Sequence, residues 1–342
     1  ARQCLSASHA ATPRISASRM PTAADPRPVA ILGAAGFIGR ALVDHLVAKG
    51  FAVRAVTRTA AAFSPPVEAR VAGTLDHRSD WRGHFDGARA VIHLASRAHA
   101  PPGDAAWLAA ERNTAAAITA AATVAGVERT ILMSSIKVLG ETTTNGPLSA
   151  TSQPDPRDAY GRAKLAIETA MRQHGAPGLT IIRPPLVYGP EVKGNFRALL
   201  RWIDRRAPLP LAAIRNRRAF VFRDNLLALT ATVLIHPAAA GQIFLVRDDD
   251  EIGTPQLVRE IARRIGVPTR LFPMPPWLLR VAATAFGRGD AAERLIGSLR
   301  IDDSATRARL GWQPPFSVSD GLDATCRWFV DAEGARARCS RL

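Results

Sequence analysis

The sequence predicts an α/β fold, a doubly wound parallel sheet with a smaller carboxy-terminal α/β lobe, and three observations predict it. Short apolar runs alternate with helix-like segments five times between Val29 and Ser135, the pattern of a parallel sheet covered by helices on both faces. The first run breaks into three glycines before a helix. Beyond Leu186 the alternation gives way to shorter helices, proline-rich turns and isolated strands. With 342 residues, 47% hydrophobic and 22% charged, the chain has an ordinary globular composition and enough length for a large core.

The elements follow in order. Residues 1–27 are rich in Ala, Ser, Arg and Pro and hold one acid, Asp25. That composition is shared with organellar transit peptides, but the plainer expectation is a disordered tail, with Met20 as the true start and a translated leader before it. Val29-Ala-Ile-Leu32 then reads as a strand running through Gly33-x-x-Gly36-x-x-Gly39 into a helix. Gly33 suits the tight turn, Gly36 leaves room for a pyrophosphate, and Gly39 lets the helix lie close on the strand. The helix N-terminus supplies N–H groups for phosphate, so Gly33, Gly36, Phe37, Ile38 and Gly39 are candidate dinucleotide contacts of a Rossmann domain. Phe51 to Thr57 is the second strand. Thr57-Arg58-Thr59 stands at its end, where an acid that binds the adenosine ribose is usual, and Arg58 tilts the cofactor from NAD toward NADP. Val67 to Ala72 is the third strand, Trp81 and Phe85 mark a short helix, and Ala90 to Ser96 is the fourth strand. Ala105 to Gly126 is a long alanine-rich helix, and Thr130 to Ser135 is the fifth strand. Ligands bind beyond the carboxyl ends of such strands, which puts Ser135 in reach of one.

Tyr160-Gly-Arg-Ala-Lys164 lies on a helix expected to run to about His174. Four residues apart on a helix, the phenol and the ammonium share a face. A phenol with an ordinary pKa of about 10 is a poor acid/base near neutrality, and a neighbouring ammonium lowers that pKa. Beyond it, Phe196 to Arg206 reads as an amphipathic helix, Ala219 to Phe222 as a strand, Leu226 to Ile235 as a helix and Gln242 to Val246 as a strand. Pro275 to Phe286 is an apolar-faced helix expected as lid or core, and a closing helix runs to about Val330.

Charge and cysteine usage narrow the function classes. The net charge of +16 is almost entirely arginine, since the only lysines are Lys49, Lys137, Lys164 and Lys193. The arginines are scattered, which points to solvated surface and a pull on phosphorylated ligands, and away from a nucleic-acid stripe. Cys4, Cys326 and Cys339 lack metal-type spacing, so neither a zinc site nor a disulfide framework is expected, and a reducing cytoplasm suits them. The longest apolar run, Leu226 to Ile235, falls short of the roughly 18–20 residues of a membrane span.

Taken together, Gly33-x-x-Gly36-x-x-Gly39, His93-Leu-Ala-Ser96, Ser134-Ser135-Ile-Lys-Val-Leu-Gly140, Tyr160-x-x-x-Lys164 and Arg183-Pro-Pro-Leu-Val-Tyr-Gly-Pro190 resemble the extended short-chain dehydrogenase/reductases of the NAD-dependent epimerase/dehydratase family, from Val29 to about Trp328. Ser-Ser-Ile-Lys-Val, Val192-Lys-Gly-Asn195-Phe196 and Asn216-Arg-Arg218-Ala-Phe220-Val are similar to the subgroup near UDP-glucose 4-epimerases and UDP-4-keto-sugar reductases of polysaccharide synthesis. The resemblance implies that Ser135 bonds the reacting C4 oxygen, Tyr160 is its acid/base, and Lys164 supports tyrosine and cofactor. It implies that Leu75, Leu94, Ala95 and Pro185 border the cofactor, that Asn113 helps order the site, and that Asn195 and Arg218 hold the substrate's diphosphate; His93 is expected to be structural. Related 4,6-dehydratases carry an Asp-Glu pair after the active-site hydroxyl. Ile136 and Lys137 stand there in this chain, and Glu141, the nearest acid, is expected to point to solvent.

The domain plan that results is a tail over 1–27, an NAD(P)-binding domain over 28–185 to which 215–250 returns, a substrate-binding lobe over 186–214 and 251–332, and a basic tail over 333–342. The expected partner is a nucleotide sugar, with a homodimer common in the resembling family. Two alternatives stay open: an NADP-dependent reductase of a non-sugar ketone, and a non-catalytic cofactor sensor on the same fold.

Overall fold

The computed structural model describes residues 25–95, 105–285, 287 and 289–339. Ser96, most of the expected leader, Phe286 and residues 340–342 lie outside that set. In chain order the elements are β1 (Val29–Leu32), α1 (Phe37–Ala48), β2 (Val53–Thr57), β3 (Glu68–Val71), α2 (Trp81–Phe85), β4 (Ala90–His93), α3 (Ala105–Val124), β5 (Arg129–Met133), α4 (Ala159–Gln173), β6 (Thr180–Arg183) and β7 (Leu186–Tyr188). There follow α5 (Gly194–Asp204), β8 (Phe220–Phe222), α6 (Arg223–Ile235), β9 (Ile243–Leu245), α7 (Thr254–Ile265), α8 (Pro276–Ala285), α9 (Gly289–Ile296), α10 (Ser304–Leu310) and α11 (Val318–Cys339).

Seven strands pair in parallel in the order β3-β2-β1-β4-β5-β6-β9. The strand order reverses between β1 and β4, which opens a crevice at their carboxyl ends. Alternate residues of β1 serve opposite faces: Val29 and Ile31 pack with Leu42, Val43 and Leu46 of α1 and with α6, whereas Ala30 and Leu32 pack with Ile118 of α3 and Ile167 and Met171 of α4. β7 and β8 form a separate two-stranded parallel sheet. Beside it a second cluster gathers Tyr188, Phe196, Leu200, Val258, Ile261, Leu322 and Phe329 from β7, α5, α7 and α11.

Three expectations are corrected. Residues 25–27 are tied down: Asp25 pairs with Arg27, whose guanidinium also reaches Glu128 at 2.8 Å. The closing helix runs on to Cys339, so most of the stretch expected as a basic tail is helical, and Glu333 within it binds Arg197 and Arg201 of α5. α8 contains no buried residue; Trp277 is 64% and Val281 60% exposed, because the helix rests on the second cluster only through the partly buried Leu279 and Ala283. No helix among the described residues is long and apolar enough to cross a membrane.

α4 is fixed to the sheet by a buried ion pair. Glu168, 2% exposed, accepts from Arg183 Nε and Nη2 at 2.9 and 2.6 Å and from the Ser134 hydroxyl, joining α4 to the ends of β5 and β6. One turn earlier Lys164 Nζ donates to the Met133 carbonyl at 2.8 Å. Glu168→Ala strands the Arg183 guanidinium in the interior, and truncating one partner of such a pair costs about 3–5 kcal/mol. The expected outcome is a fall in the urea unfolding midpoint with an unchanged slope, and an unmoved midpoint would show that the pair does not hold α4.

Candidate active site

The glycine turn has the geometry its spacing predicts. Gly33 sits at φ +85°, and a Cβ there would come within 3.0 Å of the Ala95 nitrogen. At Gly39 an added Cβ would fall 2.2 Å from the Gly33 oxygen, so α1 lies against the turn as closely as backbone allows. Gly36 is the N-cap of α1, with no side-chain cap and no acid in the first turn. The first N–H groups of that helix therefore keep their capacity for an anion, and the residues present fit a dinucleotide pyrophosphate.

Around the turn, Phe37 packs on the second cluster, Ile38 and Leu94 on the α1 side of the sheet, and Leu75 and Ala95 on the α3 side. Pro185 is buried one residue after Pro184, whose carbonyl accepts from Ile136 N at 2.9 Å. His93 is buried with no partner on Nδ1, and desolvation pushes its pKa down to about 3, so it is a neutral imidazole. The Thr57 hydroxyl donates to the Thr59 carbonyl at 2.8 Å and closes the bend that leaves Arg58 exposed at the end of β2.

Ser135 follows β5 and begins a single 3-10 turn, Ile136–Val138, where its Oγ accepts from Lys137 N at 3.2 Å. Tyr160 stands half-buried in the first turn of α4, with Lys164 Nζ 5.8 Å from its ring centroid. Lys164 is only 2% exposed, and burial pulls its ammonium down to about 8 while Glu111 and Glu168 act against the fall. Because Lys164 bonds Met133 and Ser135 lies two residues further on, the three candidate residues converge at one strand end.

Other candidates sit differently. Asn113 is exposed, on the side of α3 opposite the buried Ala115, Ile118, Thr119 and Ala122, and makes no side-chain hydrogen bond among the described residues. Glu111 is the α3 residue whose charge reaches Lys164. Asn195 is exposed at the start of α5. Arg218 donates to the Gly297 carbonyl at 2.8 Å, and burial lowers its pKa to about 10. Glu141, expected to face solvent, is 15% exposed and pairs with Lys137 at 2.7 Å and Arg294 of α9 at 3.0 Å. The sequence did not disclose Lys137 beside Tyr160, at 5.9 Å from the ring centroid, or Glu168, although the latter's position four residues after Lys164 places it on the same helix face. No group of three His, Cys, Asp or Glu side chains among the described residues is arranged to hold a metal.

Over 318 residues the chain is 36% identical to the UDP-glucose 4-epimerase of Vibrio cholerae, covering 90% of this chain and 97% of that one. Its fold is similar to that of UDP-glucuronic acid 4-epimerase from Bacillus cereus in complex with NAD (TM-score 0.71, 17% identity, 89% and 99% of the two chains). It is equally similar to UDP-glucose 4-epimerase of Thermotoga maritima with UDP-glucose (TM-score 0.71, 20% identity, 90% and 99%). The model of one family matches residues 29–246, from the first strand of the sheet to just past its last, and with that match this chain belongs to the NAD dependent epimerase/dehydratase family.

Proposed function

We propose that the protein is a nucleotide-sugar 4-epimerase that acts on a UDP-sugar, with Ser135, Tyr160 and Lys164 as its working residues. The observation that carries this is the convergence of those three residues at the end of β5, where Lys164 bonds the Met133 carbonyl and lies 5.8 Å from the Tyr160 ring. Support also comes from the 36% identity to a UDP-glucose 4-epimerase across nearly the whole of both chains. Net reduction of a supplied 4-keto sugar uses the same residues and is the second outcome to look for.

A bound oxidised nicotinamide would supply the hydride chemistry, taking the hydride from C4 and then giving it back. The chain's own task is to hold the sugar and move one proton. Tyr160 as phenolate accepts the proton of the C4 hydroxyl and later returns it, and the Ser135 hydroxyl donates to the same oxygen. The Lys164 ammonium stabilises the phenolate between the two transfers. Asn195 and Arg218 are the candidate diphosphate contacts, the guanidinium offering a planar fork. The cofactor assigned here is NAD or NADP, and the exposed Arg58 favours NADP because it can meet a 2′-phosphate. Elimination of water across C5 and C6 is not expected. Ile136 and Lys137 carry no carboxylate, and that of Glu141 is engaged by two cations.

Three experiments test this reading. Incubation with UDP-glucose, UDP-N-acetylglucosamine and a UDP-4-keto-6-deoxy sugar, followed by NMR, is expected to give a C4 epimer or a reduced C4 alcohol. A 4-keto-6-deoxy product from a plain hexose would overturn it. Tyr160→Phe is expected to lower kcat about 10²–10⁴-fold with cofactor binding retained, and Ser135→Ala to be milder; full turnover in Tyr160→Phe would remove the tyrosine from the reaction. Arg58→Ala is expected to weaken NADP by about 1.5–3 kcal/mol and NAD by much less in titration calorimetry, and equal losses would show that Arg58 does not distinguish the two.

A further inference from the structure

We propose that Lys137 is a positioning residue for the Tyr160 phenol: it holds a second ammonium against the ring and straps the Ser135 turn to the start of α4. The proposal rests on the reading of Tyr160 as acid/base given above. Lys137 Nζ lies 5.9 Å from the ring centroid, on a par with Lys164 at 5.8 Å, and the two ammoniums come from different elements. Lys164 belongs to α4 itself; Lys137 belongs to the 3-10 turn that Ser135 begins.

The strap has two parts. Lys137 Nζ bonds the Asp158 carboxylate, whose other oxygen caps α4 by accepting from Gly161 N at 2.7 Å. Beside it the backbones touch: a Cβ on Gly161 would stand 2.6 Å from the Lys137 carbonyl oxygen. Ser135 is two residues before Lys137, and Tyr160 is two residues after Asp158. One side chain and one close approach therefore fix the hydroxyl-bearing turn against the phenol-bearing helix end.

The charges around the phenol explain why a cation is needed there. Asp158 at the N-cap of α4 and Glu141 after the 3-10 turn both bind Lys137, and Glu141 is shared with Arg294 of α9 and felt by Arg218. On the interior side Lys164 is flanked by Glu111 of α3 and Glu168 of α4, with His93 of β4 neutral. Without Lys137, two carboxylates would stand near the phenol with less to offset them, and the phenolate would be disfavoured. Lys164 supplies one ammonium from within α4, and Lys137 brings a second from the 3-10 turn. Lys137, 27% exposed, stays in contact with water.

The test is kcat/KM against pH for wild type, Lys137→Met, Lys137→Arg, Glu141→Gln and Tyr160→Phe on the UDP-sugar that wild type turns over, with thermal melts of each. Phenolate must be present for the proton to be taken, so activity rises with pH along an acid limb, and losing a nearby positive charge moves that limb upward. Lys137→Met is expected to raise it by about half to one pH unit and to lower kcat about 10-fold with KM little changed. Lys137→Arg should restore both, and Glu141→Gln, which removes a negative charge away from the α4 cap, should move the limb downward. A uniform loss at all pH values in Lys137→Met with the limb in place would overturn the electrostatic role, as would wild-type behaviour. If Lys137→Met does not fold, an unmoved limb in Glu141→Gln overturns the proposal on its own. Full turnover in Tyr160→Phe would remove the acid/base reading and this proposal together, whereas loss in Tyr160→Phe with unmoved limbs in the other variants would remove the proposal alone.

Discussion

The position of α4 depends on a carboxylate that the fold has taken out of water. Glu168 is buried with Arg183 and the Ser134 hydroxyl as its partners, each from a different element. Burying a charge is tolerable only when its hydrogen-bonding capacity is met, and here two guanidinium donors and one hydroxyl meet it. The geometry demanded by that pair leaves α4 little freedom to slide along the sheet. One turn toward the N-terminus this places Lys164 over the Met133 carbonyl, and one turn further it places Tyr160 at the strand ends.

The same economy governs the other cations around the crevice. Arg218 donates to a backbone carbonyl, Arg294 is held by Glu141, and Lys137 is shared by two carboxylates. A net charge of +16 therefore does not translate into a bare positive face at this site. These cations are committed to internal partners, so their charge is largely balanced within the fold.

How much of this was legible in the sequence depended on the range of the interaction. Period-two burial in β1 and the glycine spacing are local, so the strand, turn and helix were readable, and Gly39 lies against Gly33 as its place in the motif implies. The pairing of Tyr160 with Lys164 was readable because four residues on a helix fix the face. Glu141 was misjudged because its partners are distant in sequence: Arg294 is brought to it only when α9 folds back over the turn. A helix of mostly alanine gives little indication of which side meets the sheet, and Asn113 lies on the exposed side of α3. The stretch after Val330 has the composition of a tail but continues as helix, with Glu333 at its start bound by two arginines of α5.

The second hydrophobic cluster has a consequence for how the chain is made. It draws Leu322, Cys326 and Phe329 from α11, and the loop before that helix is tied inward by Asn225, which bonds both main-chain groups of Phe316 and the buried Asp248. All seven strands of the main sheet have been synthesised once Leu245 emerges from the ribosome, yet Phe196, Val258 and Ile261 wait for α11, which begins more than seventy residues after Leu245. During that interval an apolar surface stands open on a nascent protein whose sheet is already complete, and α11 is the helix that covers it.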